Sequence, residues 1–80
     1  MITVQVKLYA TLRRHVPDLD VGEAMPVELS EDATVGSLLE KLELPEEQVK
    51  VTFVNGTVRK EDYRLSDGDE VGIFPPVGGG

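Results

Sequence analysis

The 80-residue chain contains no cysteine. A disulfide staple, a thiolate nucleophile and a cysteine-ligated metal are therefore excluded. Tryptophan is also absent, and the aromatic residues are only two tyrosines and two phenylalanines, so the direction each one faces is informative. The single histidine, His15, sits in Arg13-Arg14-His15 with no serine or metal-ligand partner nearby in sequence, and reads as an ordinary loop histidine. Basic residues are scarce: 8 against 15 acidic ones leave a net charge of −7. Phosphate backbones and anionic membranes require a basic face, so neither nucleic acid nor membrane is an expected partner. A basic protein reached by electrostatic steering remains open. No run approaches the roughly 20 apolar residues of a membrane span. The opening "MITVQVKLYA" has neither the basic segment nor the long apolar run of a signal peptide. The expectation is a soluble cytoplasmic protein.

Hydrophobic residues make up 40% of the chain, enough for one modest core. A chain of this size buries only about two-thirds of its unfolded surface, which places any chemistry on an edge or a terminus rather than in a deep pocket. Ile2, Val4, Val6 and Leu8 alternate with polar residues and predict a strand with one buried face. Residues 11–23 carry Pro17, Gly22 and several aspartates and read as a long connection. Met25, Val27 and Leu29 give a second strand, antiparallel to the first, and Pro26 on its other face points to an edge position. "SEDATVGSLLEKLELP" predicts a short helix: Thr34 caps it, with Ser37 a poor substitute for the glutamate of a capping box. Val35, Leu38, Leu39 and Leu42 form its apolar stripe, and Pro45 stops it. Val49, Val51 and Phe53 indicate a third strand, Asn55-Gly56 a tight turn into Thr57-Val58-Arg59, and Val71 and Ile73 a last strand, with Leu65 plugging the core. Two hairpin-like halves around one helix predict an α+β architecture of the β-grasp type, a mixed sheet covered on one face by one helix with the first and last strands side by side. The domain spans 1–75, and 76–80 form a flexible tail.

No internal segment looks catalytic. Asp67-Gly68-Asp69-Glu70 has the flavour of a calcium loop but lacks its 12-residue spacing and closing glutamate, so it reads as a turn. Glu46-Glu47 reads as solvated surface, and the glycines form neither GxGxxG nor a P-loop. No metal site and no bound cofactor are expected. The terminus differs. Phe74 is out of phase with Val71 and Ile73, and Tyr9 with Ile2 to Leu8, so both should face away from the helix and form one exposed aromatic patch. The alternative is that the 11–23 connection folds over and buries them. Pro75 and Pro76 restrict the backbone and carry the chain stiffly off the sheet. Val77, Gly78, Gly79 and Gly80 then make an arm narrow enough to thread a channel in a partner. Its one reactive group is the Gly80 α-carboxylate, a poor electrophile until activated, most simply as an acyl-adenylate made from ATP by a partner.

"VNGTVRKEDYRLSDGDEVGIFPPVGGG" resembles the C-terminal third of the small subunit of molybdopterin synthase, and "VKLYATLRR" and "ATVGSLLEKL" are also similar to that family. The most selective part is the run from Asp67-Gly68-Asp69 through Phe74-Pro75-Pro76-Val77. The resemblance implies a ubiquitin-like β-grasp sulfur carrier. Gly80 would be adenylated by an E1-like adenylyltransferase, with the ATP used by that enzyme, and converted to a thiocarboxylate. The carrier would then dock on the large synthase subunit and donate sulfur to precursor Z in molybdenum or tungsten cofactor biosynthesis. Phe74 matches the aromatic interface residue and Gly79-Gly80 the terminal pair; Tyr9 and Arg13 match positions that face partners. "ELPEEQV" is shorter than in many members, and Gly78 makes a triple-glycine ending also seen in thiazole-pathway sulfur carriers. That pathway, and a ubiquitin-like modifier joined to lysines through Gly80, are the alternatives.

Overall fold

Seven alternating residues, Ile2–Leu8, form β1, with every even-numbered side chain buried. The computed structural model describes residues 1–9, 12, 23–44 and 46–76. β2, Met25–Leu29, pairs antiparallel with β1 and sets Val4 opposite Val27. Pro26, opposite Gln5, is tolerated because β2 lies at the sheet edge. Helix α1 covers Val35–Lys41 and buries Val35, Leu38 and Leu39. After a 3₁₀ turn at Glu46–Gln48 come β3 (Val51–Val54), β4 (Thr57–Arg59) and β5 (Glu70–Phe74). The strand order is β2-β1-β5-β3-β4. Among the described strands only β1 and β5 run parallel, with Val6 opposite Val71 and Leu8 opposite Ile73. A parallel pair requires a crossover, and the segment carrying α1 supplies it. This is the expected β-grasp, a mixed sheet with one helix on one face.

The core lies between that helix and the inward side chains of β1, β2 and β5, with Leu65 and Leu44 closing its ends. Helix α1 starts in register because the 60–65 segment accepts its first amide protons: Val35 N–H donates to the Tyr63 carbonyl and Gly36 N–H to Glu61. Ser37, expected to be a poor partner, completes a reciprocal capping box, its hydroxyl accepting from Thr34 N–H at 3.2 Å. The Asn55-Gly56 turn has φ of 52° and 85°, the double left-handed geometry that a two-residue hairpin requires.

Two expectations need correction. The helix stops at Lys41, well before Pro45, because Glu43 turns left-handed (φ 57°). Leu44 N–H then reaches the Leu39 carbonyl and Glu43 N–H the Glu40 carbonyl, a Schellman closure sealed by the buried Leu39 and Leu44. The inward face of β3 is carried by Thr52 and Val54, not by Val51 and Phe53, and Val49 lies before the strand, packed on the core edge. Of the 11–23 connection, only Leu12 and Glu23 are described. Leu12 is 1% exposed and belongs to the core, its N–H bonded to the Tyr9 carbonyl.

Candidate functional site

Three strands meet at Gly72, which faces Lys7 of β1 on one side and Phe53 of β3 on the other. Strand alternation puts these residues on the side of the sheet opposite α1, together with Phe74. With no side chain at Gly72, the centre of the row is open. Tyr9 fills it from above: its Cε2 lies 3.2 Å from the point where a β-carbon at position 72 would be. Tyr9 is beyond β1, yet its N–H still donates to the Ile73 carbonyl at 3.1 Å, which holds its backbone beside β5.

The Tyr9 and Phe74 rings stack with centroids 4.1 Å apart and planes 5° from parallel. Phe53 meets Phe74 edge-on at 5.4 Å and 71°. The rings border a groove of about 360 Å³, with Lys7 and Glu70 as charged residues on its lining. The expected pairing of Tyr9 with Phe74 is therefore present, and both rings are half-buried. Sequence reasoning missed Phe53 and Gly72. Gly72, between two core residues of a strand, carried a usable signal, since an interior strand glycine marks close approach of another group.

The chain leaves the sheet at this patch. The Phe74 carbonyl accepts from Lys50 N–H at 2.8 Å. Pro75 and Pro76 have no N–H to continue the ladder; Pro75 is half-buried and Pro76 exposed. Arg13, Val77, Gly78, Gly79 and Gly80 lie outside the described residues.

A polar lock sets the other end of β5. Asp69, 7% exposed, accepts from Asn55 Nδ2 at 2.9 Å and from Ser66 N–H at 2.8 Å, one bond to each carboxylate oxygen. Asn55 Oδ1 in turn accepts from Glu70 N–H at 2.9 Å. Asp67 Oδ1 accepts from Thr3 N–H at 2.7 Å and Gly68 N–H donates to the Thr3 carbonyl, so the turn caps β1 where β5 has not yet begun. The acidic turn is structural: its carboxylates are spent on amide protons.

Residues 6–80 match the ThiS family model. The chain belongs to the ThiS family. Its fold is that of ubiquitin-like sulfur carriers. Among curated proteins none is similar enough in sequence to count as a match. Among solved structures, the ThiS-family chain is 33% identical to a protein described as molybdopterin converting factor subunit 1 from Pyrococcus furiosus, covering 96% of this chain and 100% of that one with a TM-score of 0.76. It is 26% identical to SAMP1, a small archaeal modifier protein of Haloferax volcanii, over 98% and 99% of the two chains with a TM-score of 0.75. A complex of subunits 1 and 2 of the molybdopterin-converting factor from Helicobacter pylori shares the fold at 21% identity, over 99% and 100% of the chains with a TM-score of 0.62. No helix among the described residues is long and apolar enough to cross a membrane.

Proposed function

We propose that this protein is a cytoplasmic sulfur carrier, the small subunit of a molybdopterin synthase, working through the carboxyl group of Gly80. The observation that carries the reading is the position of the stacked Tyr9 and Phe74 rings, with Phe53 edge-on to them, at the root of the Pro75-Pro76 arm. A docking anchor and a delivery arm are thereby joined by a single residue. Ordering a glycine arm costs about 1–2 kcal/mol per residue, and burial of the aromatic groove against a partner offsets that cost.

In this reading the Gly80 carboxylate attacks the α-phosphorus of ATP on an E1-like adenylyltransferase, and pyrophosphate leaves. A sulfide-level nucleophile then attacks the acyl-adenylate, the acyl C–O bond to AMP breaks, and a thiocarboxylate remains. The aromatic groove docks on the large synthase subunit, the arm enters that subunit's site, and sulfur passes to precursor Z. The chain's own residues contribute docking and delivery. The molybdopterin converting factor similarity favours this pathway over thiazole synthesis.

Intact mass spectrometry after incubation with ATP, an E1-like enzyme and a sulfur donor tests the reading. The expected result is the mass gain of one oxygen replaced by sulfur, localised to Gly80, and its loss when Gly80 is deleted. No change under conditions that convert a known carrier would overturn it. The second reading, a protein modifier, rests on the similarity to SAMP1. It predicts Gly80 in isopeptide linkage to lysines of other proteins, detected as branched peptides after digestion of cell extracts.

A further inference from the structure

The aromatic face carries few charges. Thr3, Gln5 and Lys7 of β1, Glu28 of β2 and Glu70 of β5 share it with Phe53, Gly72 and Phe74. Lys7 is therefore the one cation that the described strands place on this face, in a chain of net charge −7. It is half-buried and lines the groove of about 360 Å³. Among the described residues its ammonium has no ion-pair or hydrogen-bond partner. Glu70, the carboxylate on the same lining, is exposed and stands opposite Gln5, one pleat away from Lys7.

A hydroxyl joins that ammonium. Tyr9 leans back over Gly72, and its hydroxyl oxygen lies 4.0 Å from the point where a β-carbon at position 72 would be. Lys7 stands opposite Gly72 in the parallel register, and neighbouring strands are about 4.8 Å apart. Both donors therefore converge on the centre of the groove, with Phe53 and Phe74 as its apolar wall. The Tyr9 hydroxyl also has no acceptor among the described residues. Stacking on Phe74 needs only the ring, so a phenylalanine would serve there equally well. A phenol in apolar surroundings ordinarily finds a hydrogen-bond partner when it is buried.

We infer that Lys7 and the Tyr9 hydroxyl form a carboxylate-recognition subsite within the aromatic groove, and that the protein docking there presents an aspartate or glutamate beside an apolar side chain. The apolar side chain packs on Phe53 and Phe74. The carboxylate accepts one hydrogen bond from the Tyr9 hydroxyl and a charge-assisted one from Lys7 Nζ. A cation covered by a partner and left unpaired is costly, so Lys7 selects against a purely apolar or a basic contact. A carboxylate displaced one pleat toward Glu70 meets like charge, so the pair also fixes the register in which the partner sits. Net charge alone points the other way, to a basic partner. The inference rests on the reading of this face as a docking surface and names the chemistry that the face recognises.

The test titrates the isotope-labelled full chain with the acetylated and amidated peptide Gly-Trp-Asp-Gly, and with the same peptide carrying asparagine or lysine in place of aspartate, at low salt. Saturable chemical-shift changes are expected at Lys7, Tyr9, Phe53, Gly72 and Phe74. The aspartate peptide should bind about fivefold more tightly than the asparagine peptide, and the lysine peptide more weakly than either. Added salt should narrow the difference between aspartate and asparagine. Tyr9→Phe and Lys7→Met are each expected to bring that ratio toward one, whereas a merely structural role would weaken both peptides alike. Equal binding of the aspartate and asparagine peptides overturns the inference and leaves the face a docking surface. So does a ratio that neither variant changes. Tightest binding of the lysine peptide would assign the groove to Glu70 and overturn it as well. Absence of saturable shifts with all three peptides overturns both the subsite and the docking role of the face, while the chemistry at Gly80 is still decided by the mass measurement.

Discussion

Gly72 has no side chain, and Tyr9 occupies the place where one would project. A branched side chain there must displace the tyrosine ring, so Gly72→Val is expected to break the Tyr9–Phe74 stack. Offset-stacked pairs contribute about 0.5–1.5 kcal/mol beyond their area. The expected outcome is a loss of near-ultraviolet circular dichroism from Tyr9 and a stability loss of about that size in urea. An unchanged aromatic signal would show that the ring is held by something other than the space at Gly72. Asp69 is the complementary case, a buried carboxylate whose role is to accept. Removing it strands Asn55 Nδ2 and Ser66 N–H, and an unsatisfied buried donor costs about 1–3 kcal/mol. Asp69→Ala is therefore expected to lower the urea midpoint substantially without adding a metal-dependent effect, as calorimetry with and without calcium will show.

Helix α1 has seven residues, too few to persist alone, and its ends show how it is held. The front is closed by the Thr34–Ser37 capping box and by the Tyr63 and Glu61 carbonyls. The rear closure places Glu43, a residue with a β-carbon, in the left-handed region. That conformation costs a non-glycine residue roughly 1–2 kcal/mol, partly offset in a glycine variant by the greater entropy of its unfolded chain. Glu43→Gly is thus expected to stabilise the protein by about 0.5–1 kcal/mol, which for a domain of this size raises Tm by roughly 2–8 °C. A fall in Tm on differential scanning calorimetry would mean that the Glu43 side chain contributes more than its backbone costs. The same element explains why the helix end was misjudged. A proline is a visible stop, whereas a left-handed glutamate is chosen by the burial of Leu39 and Leu44 together.

The molecule as a whole is one sheet with unequal edges. β1 and β5 sit at its centre, parallel to one another and screened by α1, while β2 and β4 are the rims. Local opening in such a fold is least at the centre and greatest at unpaired edges. Native-state hydrogen exchange is expected to show the β1–β5 amides, including Val6 and Ile73, exchanging only through global unfolding. The outward Val58 amide should exchange near the unprotected rate. Strong protection at Val58 would reveal a covered edge in the free protein.

Much of this was legible in the linear chain, because it is local. Period-two alternation in Ile2 to Leu8 and Met25 to Leu29, the Asn55-Gly56 pair and the Thr34 cap depend on neighbours a few residues away. So did the outward phase of Tyr9 and Phe74. Tertiary structure decided what depends on distant partners. The inward phase of β3 was set by pairing with β5, which aligned Val54 with Val71 and Thr52 with Ile73 and turned Phe53 outward. Leu12 was drawn into the core from a segment with no periodicity. Gly72 acquired its importance only when Tyr9, more than sixty residues earlier, was laid across it by the parallel pairing of the first and last strands. A side chain's alternation is written in its neighbours, but the surface it meets exists only once the strands have been brought together.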